Sequence, residues 1–253
     1  MPGPSARQIT PRGIEINEAA GQPFAALRVA RDLLHTAPVA SLSTVDAKSG
    51  YPYGTLINLA IDTDGTPYFF AAWLALHARN MAADNRVSLS MVALGTRDVM
   101  VQPRLTLVGR VEMVHRNDWD SRMERRFLAR FPKSKLYLSL PDALFFRLAV
   151  EDLQLNGGPA RNAVTEVTPE KLRISLEGAE SLVAAEADLV VMLNGRDGEA
   201  NRLAQKAGGR DARWTVTGLD PEGLDLSSSK GLARLWFSAP ARTPEELQAR
   251  LSE

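Results

Sequence analysis

Six runs of strand character lie between Val39 and Leu155, and most of the gaps between them are too short for a crossover. They are Val39–Asp46, Tyr53–Asp62, Tyr68–Ala72, Arg86–Leu94, Arg104–His115 and Ala143–Leu155. Parallel neighbours need a connection of a dozen or more residues, so turns as short as Lys48-Ser49-Gly50 and Thr63-Asp64-Gly65-Thr66 require antiparallel pairing. The second of these contains Asp-Gly, a strong hairpin signal. The run Arg104–His115 sets Leu105, Leu107, Gly109, Val111 and Met113 against Thr106, Arg110 and Glu112, a period of two. Two helix-length segments interrupt the series. One starts at Leu76, with Leu76, Arg79, Asn80 and Ala83 at helical spacing. The other is Trp119–Phe131, with Trp119, Met123, Phe127 and Phe131 on one face. Six antiparallel strands with few helices predict a closed or nearly closed barrel, which also removes exposed sheet edges.

The flanks have a different character. Residues 1–22 carry Pro2, Gly3, Pro4, Pro11 and Gly13 with little periodicity and read as an arm. Phe24–Thr36 is an amphipathic helix with Leu27, Ala30, Leu33 and Leu34 in one stripe and Arg28, Arg31 and Asp32 facing away, closed by Pro38. Asn156–Thr168 breaks the strand pattern with two glycines, a proline and Arg161. It reads as an interdomain linker or as a loop that approaches a ligand. Beyond Pro169 come a helix within Leu182–Ala207, stopped by Gly208-Gly209, then short strands at Trp214–Leu219, Leu224–Leu226 and Ala233–Phe237. A last helix opens at Thr243-Pro244-Glu245-Glu246, with a good N-cap and proline in its first turn. The predicted organisation is an arm at 1–22, an α+β barrel domain at 23–168 and a small α+β domain at 169–253.

Composition excludes several classes of function. Thirty basic residues balance thirty acidic ones, so no global field draws the chain to nucleic acid or an anionic membrane. The absence of cysteine rules out disulfides, thiol catalysis and thiolate-held metals. No apolar run nears the ~20 residues of a membrane span, and the N-terminus lacks a signal-peptide core, so a cytoplasmic protein is expected. GxSxG, P-loop and GxGxxG motifs are missing, which argues against hydrolase, triphosphatase and dinucleotide-fold readings. The three histidines have no metal-ligand spacing. His35 ends a helix and is expected to cap it; His115 is expected in solvent. Asp62 and Asp64 are expected to shape a turn and to solubilise it.

A phosphate-sized constellation remains. His77, Arg79 and Asn80 stand at the mouth of a helix, whose free N–H groups and dipole favour negative charge. Thr55 and Asn58 on the second strand and Arg104 opening the fifth complete it. Arginine suits bidentate capture of a phosphate.

The segment Ala75-Leu76-His77-Ala78-Arg79-Asn80-Met81, the run Asp84-Asn85-Arg86-Val87-Ser88-Leu89 and the strand Pro103–Gly109 resemble those of the FMN-binding split barrels related to pyridoxamine 5′-phosphate oxidase. The chain is most similar to their heme-utilisation (HugZ-like) branch, in which a small α+β domain follows the barrel. The resemblance covers about residues 24–253. It implies a homodimer with ligand sites between the subunits. It also implies FMN held through phosphate and ribityl chain by Thr55, His77, Arg79, Asn80 and Arg104, with flavin-dependent oxidoreduction as the activity and a small molecule as substrate. Ala75, Leu76 and His77 stand where the oxidases place a Ser-Arg-Lys run on the flavin phosphate. The C-terminal histidine that ligates iron in heme-degrading members has no counterpart after His115, and Asn194-Gly195-Arg196-Asp197 is the nearest match to their Asn-x-Asp-His motif. The alternative expectation is therefore a non-enzymatic split barrel that binds heme or a protein partner.

Overall fold

A computed structural model describes residues 24–93, 98–158 and 167–253. The N-terminal arm and Arg161 lie outside the described residues. Helix α1 (Ala26–Thr36) leads into β1 (Val39–Val45), β2 (Pro52–Ile61) and β3 (Pro67–Ala72). Helix α2 (Leu76–Ala83) joins β3 to β4 (Arg86–Val92), and β5 (Arg104–Val114) follows. Helices α3 (Ser121–Arg130) and α4 (Lys135–Leu138) precede the long β6 (Ala143–Asn156). The six strands close into an antiparallel barrel in the order β1-β2-β3-β6-β5-β4, with β4 returning to β1.

Alternation along each strand sends one set of side chains inward. Leu42, Leu89, Leu107 and Leu153 follow one another across register partners and fill the barrel with Leu59, Phe69, Phe146 and Leu155. Helix α1 closes one end with Ala30, Leu33 and Leu34. The opposite surface of β2, β3 and β6 is also apolar. There Ala60, Tyr68 and Phe145 pack against Met123 and Phe127 of α3, and the Tyr68 hydroxyl donates to the Met123 carbonyl at 2.9 Å. The spacing of four read along Trp119–Phe131 is the face that makes this second, smaller core.

The short α5 (Pro169–Leu172) still packs on the barrel through Leu172. Then α6 (Glu180–Gly195) and α7 (Glu199–Lys206) precede a three-stranded sheet, β7 (Thr215–Asp220), β8 (Gly223–Ser228) and β9 (Gly231–Trp236), and α8 (Pro244–Ser252) ends the chain. The single helix expected within 182–207 is thus two. Gly198, at φ 69°, takes the left-handed conformation that glycine tolerates and turns the chain between them. Leu182, Leu193, Leu203, Trp214, Leu224 and Leu247 are the centre of this second domain's own core.

Charged residues join the two cores. Arg126 of α3 is 4% exposed and reaches four acceptors: the Ile61 carbonyl at 3.1 Å, Glu186 at 2.6 Å, the Leu219 carbonyl at 3.1 Å and Asp225 at 3.4 Å. Arg125 also meets Glu186. Arg234 holds Asp220 through two short bonds and touches Asp225 at 3.3 Å. Gly218 makes room for this arrangement, since a Cβ there would stand 2.4 Å from the Arg126 guanidinium.

Three expectations are corrected at this seam. His35 does not merely cap α1: it is 1% exposed, and its Nδ1 lies 3.1 Å from an Asp225 oxygen on the far domain. Arg31 does not face solvent, and Asp32, though partly exposed, is tied to the second domain. Arg31 donates to the Lys171 and Arg173 carbonyls and pairs with Glu222, while Asp32 accepts from the Trp236 indole at 2.6 Å. Asp62 shapes its turn but is buried, paired with Arg147 at 3.1 Å. In each case the deciding partner is far away in sequence.

Candidate functional site

Helix α2 is positioned by what it buries. Ala78 and Met81 enter the barrel core, and the Asn80 amide, 2% exposed, donates to Thr44 Oγ1 at 3.1 Å. Asn80 is therefore a latch between α2 and β1. His77 is half-buried in the first turn, and desolvation holds its imidazole below the usual histidine range, hence neutral at pH 7. Arg79 is exposed. Asp84 ends the helix and accepts from the Arg86 backbone and side chain, which hold its carboxyl down at about 2.

The remaining predicted residues are spread along the barrel. Thr55 stands opposite Leu42 in mid-barrel, and Asn58 is exposed opposite Val39. Arg104 pairs with Val92 and Asn156 and donates to the Val99 carbonyl at 2.8 Å. Six residue steps along β4 separate Val92 from Arg86, about 20 Å at the strand rise. The structure thus groups His77, Arg79 and Asn80 near the Thr44 end of β1 and leaves Arg104 and Asn58 at the Val39 end.

The Thr44 end has a cleft with two arginines that residue spacing did not suggest. Arg86 and Arg110 are direct register partners on β4 and β5. Like charges face to face destabilise a sheet unless something answers them. Asp84 answers Arg86; Glu151, at 3.1 Å, and the Asn85 side chain, at 2.8 Å, answer Arg110. A bulge aims Glu151. Val108 pairs with Asp152 but Gly109 pairs with Val150, so Glu151 is the extra residue on β6. Gly109 is required there, because a Cβ would lie 2.0 Å from the Ala149 carbonyl oxygen. The two arginines, Glu151, Ser43, Ser88 and Val108 border a cleft of about 580 Å³. Each guanidinium has more N–H groups than its carboxylate takes up. The cleft opens onto an outer face of small side chains, where Ser41 pairs with Ser90 and Ser43 with Ser88, and where Leu56 is 72% exposed. The run Asp84–Leu89 contains Arg86, but only strand register reveals its partner.

The family model of the CREG β-barrel matches residues 23–161, more than half of the chain. The chain belongs to that family. Its closed six-stranded antiparallel barrel is the fold that the resemblance to the split barrels and their heme-utilisation branch implied. The chain is similar to the crystal structure of Atu2129, a protein of unknown function from Agrobacterium tumefaciens C58, at 46% identity and a TM-score of 0.85, over 96% of this chain and 97% of that one. A heme binding protein from Mycobacterium smegmatis is 25% identical with a TM-score of 0.52, over 91% of this chain and 96% of that one. Among curated proteins, the chloroplastic heme oxygenase HOZ of Arabidopsis thaliana is 29% identical over 131 residues. That match takes in 51% of this chain and 40% of the relative, so the chain spans less than half of that protein's length. Among the described residues no helix is long and apolar enough to cross a membrane, and no group of side chains is arranged to hold a metal ion.

Proposed function

We propose that the protein is a homodimeric split barrel that binds FMN, with the anionic end of the cofactor in the Arg86–Arg110 cleft, and that it serves as a flavin-dependent oxidoreductase. The opposed arginine pair carries the reading. Two guanidiniums on neighbouring strands offer several parallel N–H donors to one phosphate, with the Ser43 and Ser88 hydroxyls beside them. The donor set fits a flavin, which needs cations and hydrogen-bond donors but no metal ligand. His77, neutral and half-buried, and Arg79 stand on the helix latched to the same end of β1. FMN when bound supplies the redox chemistry; the chain orients it and excludes water. A second copy packed on the Ser41–Ser90 and Leu56 face would wall the cleft from its open side. Titration with FMN tests the reading through quenching of flavin fluorescence. Saturable binding that Arg110→Ala weakens is expected, and no binding up to about millimolar FMN would sink it.

Heme is the second reading, favoured by the names of two relatives, a heme binding protein and a heme oxygenase. Its propionates suit the same arginines. Its iron finds no histidine, cysteine, methionine or tyrosine among the residues bordering the cleft. Hemin titration separates the two: a Soret shift abolished by His77→Ala, with no response to FMN, would replace flavin by heme.

A further inference from the structure

A second cleft, of about 460 Å³, lies on the seam between the domains. One wall is α1 and the end of β4, with Leu33, Val92 and Ala93. The other is the turn after α7 and the β8–β9 hairpin, with Arg210, Lys230 and Leu232. Its charges are unequal. Asp32 is already satisfied by Arg28 and the Trp236 indole, and Arg234 is taken up by Asp220 and Asp225. Arg210 and Lys230 have no partner for their charged ends among the described residues. In a chain with thirty residues of each sign, two unanswered cations at one seam are not a consequence of a basic composition.

Both cations sit on braced backbone. The Arg210 carbonyl accepts from the indole of the buried Trp214 at 2.8 Å, which ties that turn to the domain core. The Lys230 amide donates to Ser228 Oγ at 3.1 Å, which in turn bonds the Gly231 carbonyl. Gly208 and Gly231, both at positive φ, leave open space where side chains would stand. Turns held in place before a ligand arrives lose little freedom on binding.

We propose that this seam is a binding site for a small phosphate-bearing molecule, its phosphate between Arg210 and Lys230 and its carbon skeleton against Val92, Ala93 and Leu232. It is separate from the barrel cleft at Arg86 and Arg110. Calorimetric titration of the full chain with inorganic phosphate and with phenyl phosphate tests it. Beside any binding in the barrel cleft, one seam site per chain is expected, still present in Arg86→Ala, with phenyl phosphate binding there more tightly than inorganic phosphate. Arg210→Ala combined with Lys230→Ala should weaken binding about tenfold or more, as removal of charge-assisted contacts does. Arg86→Ala and Lys48→Ala should leave it unchanged. Affinity unaltered by the double substitution, loss caused equally by Lys48→Ala, loss caused by Arg86→Ala, or no saturable binding up to about 10 mM, far weaker than any useful affinity, would each overturn the proposal.

Discussion

Replacing Arg126 by methionine keeps the length and packing of the stem and removes the guanidinium from the domain seam. The change strips one cation from Glu186 and Asp225 and leaves the Ile61 and Leu219 carbonyls without this donor. Breaking a buried ion pair costs about 3–5 kcal/mol. Here Glu186 retains Arg125, and Asp225 retains Arg234 and His35, so neither anion is orphaned. That places the loss near the lower end, about 3 kcal/mol, with roughly 1 kcal/mol of it from each abandoned carbonyl. For a chain of this size the melting temperature should fall by roughly 6–12 °C. Urea denaturation at pH 7.5, read by circular dichroism, gives the free energy directly. A double-mutant cycle with Glu186→Gln should show strong coupling, the pair costing less than the sum of the singles. A loss below about 1 kcal/mol, the worth of an exposed ion pair, would refute the view that Arg126 welds the domains.

His35 gives a pH dependence. Burial, aided by Arg234, lowers its pKa against the pull of Asp225, so the folded protein resists a proton that the unfolded chain accepts near 6.5. Stability is full above that value and should fall as the pH drops below it; urea midpoints from pH 8 to 5.5 should show the slope, and His35→Gln should flatten it. Gly109→Ala forces a Cβ into the Ala149 carbonyl and should cost about 3 kcal/mol, measured by thermal melting. Leu56→Arg, on the open barrel face, should convert the proposed dimer to monomer in size-exclusion chromatography while leaving the monomer folded. Arg104→Ala, about 20 Å along the strand from the Arg86 end, should change FMN affinity less than twofold, whereas Arg110→Ala should weaken it about tenfold, the value of a charge-assisted contact.

The barrel was legible because each of its strands advertises itself locally: period-two burial along β5, Asp64-Gly65 at the hairpin, short turns between partners. The cap at Thr243 was legible for the same reason, its hydroxyl accepting from the Glu246 amide three residues on. What lay hidden depended on distant partners. His35 beside Leu34 looks like a helix end until Asp225, 190 residues away, is seen opposite it. Arg86 and Arg110 look like two ordinary surface cations until the ladder sets them face to face. That Arg104 stands at the other end of the ladder from Arg86 was hidden in the same way, since strand order alone does not tell which end of the barrel a residue occupies.

The ties across the seam also constrain how such a chain can be shortened or inherited. Arg126 and His35 belong to the barrel half, yet both find their countercharges on the second domain. Cutting the chain after Leu172 would keep six strands and expose two cation-capable side chains that have lost Glu186 and Asp225. A free-standing barrel would need new residues at positions 35 and 126 before it could be soluble and stable. The tail is therefore less an appendage than the missing wall of the barrel's own outer shell, and the two halves can change sequence at that wall only together.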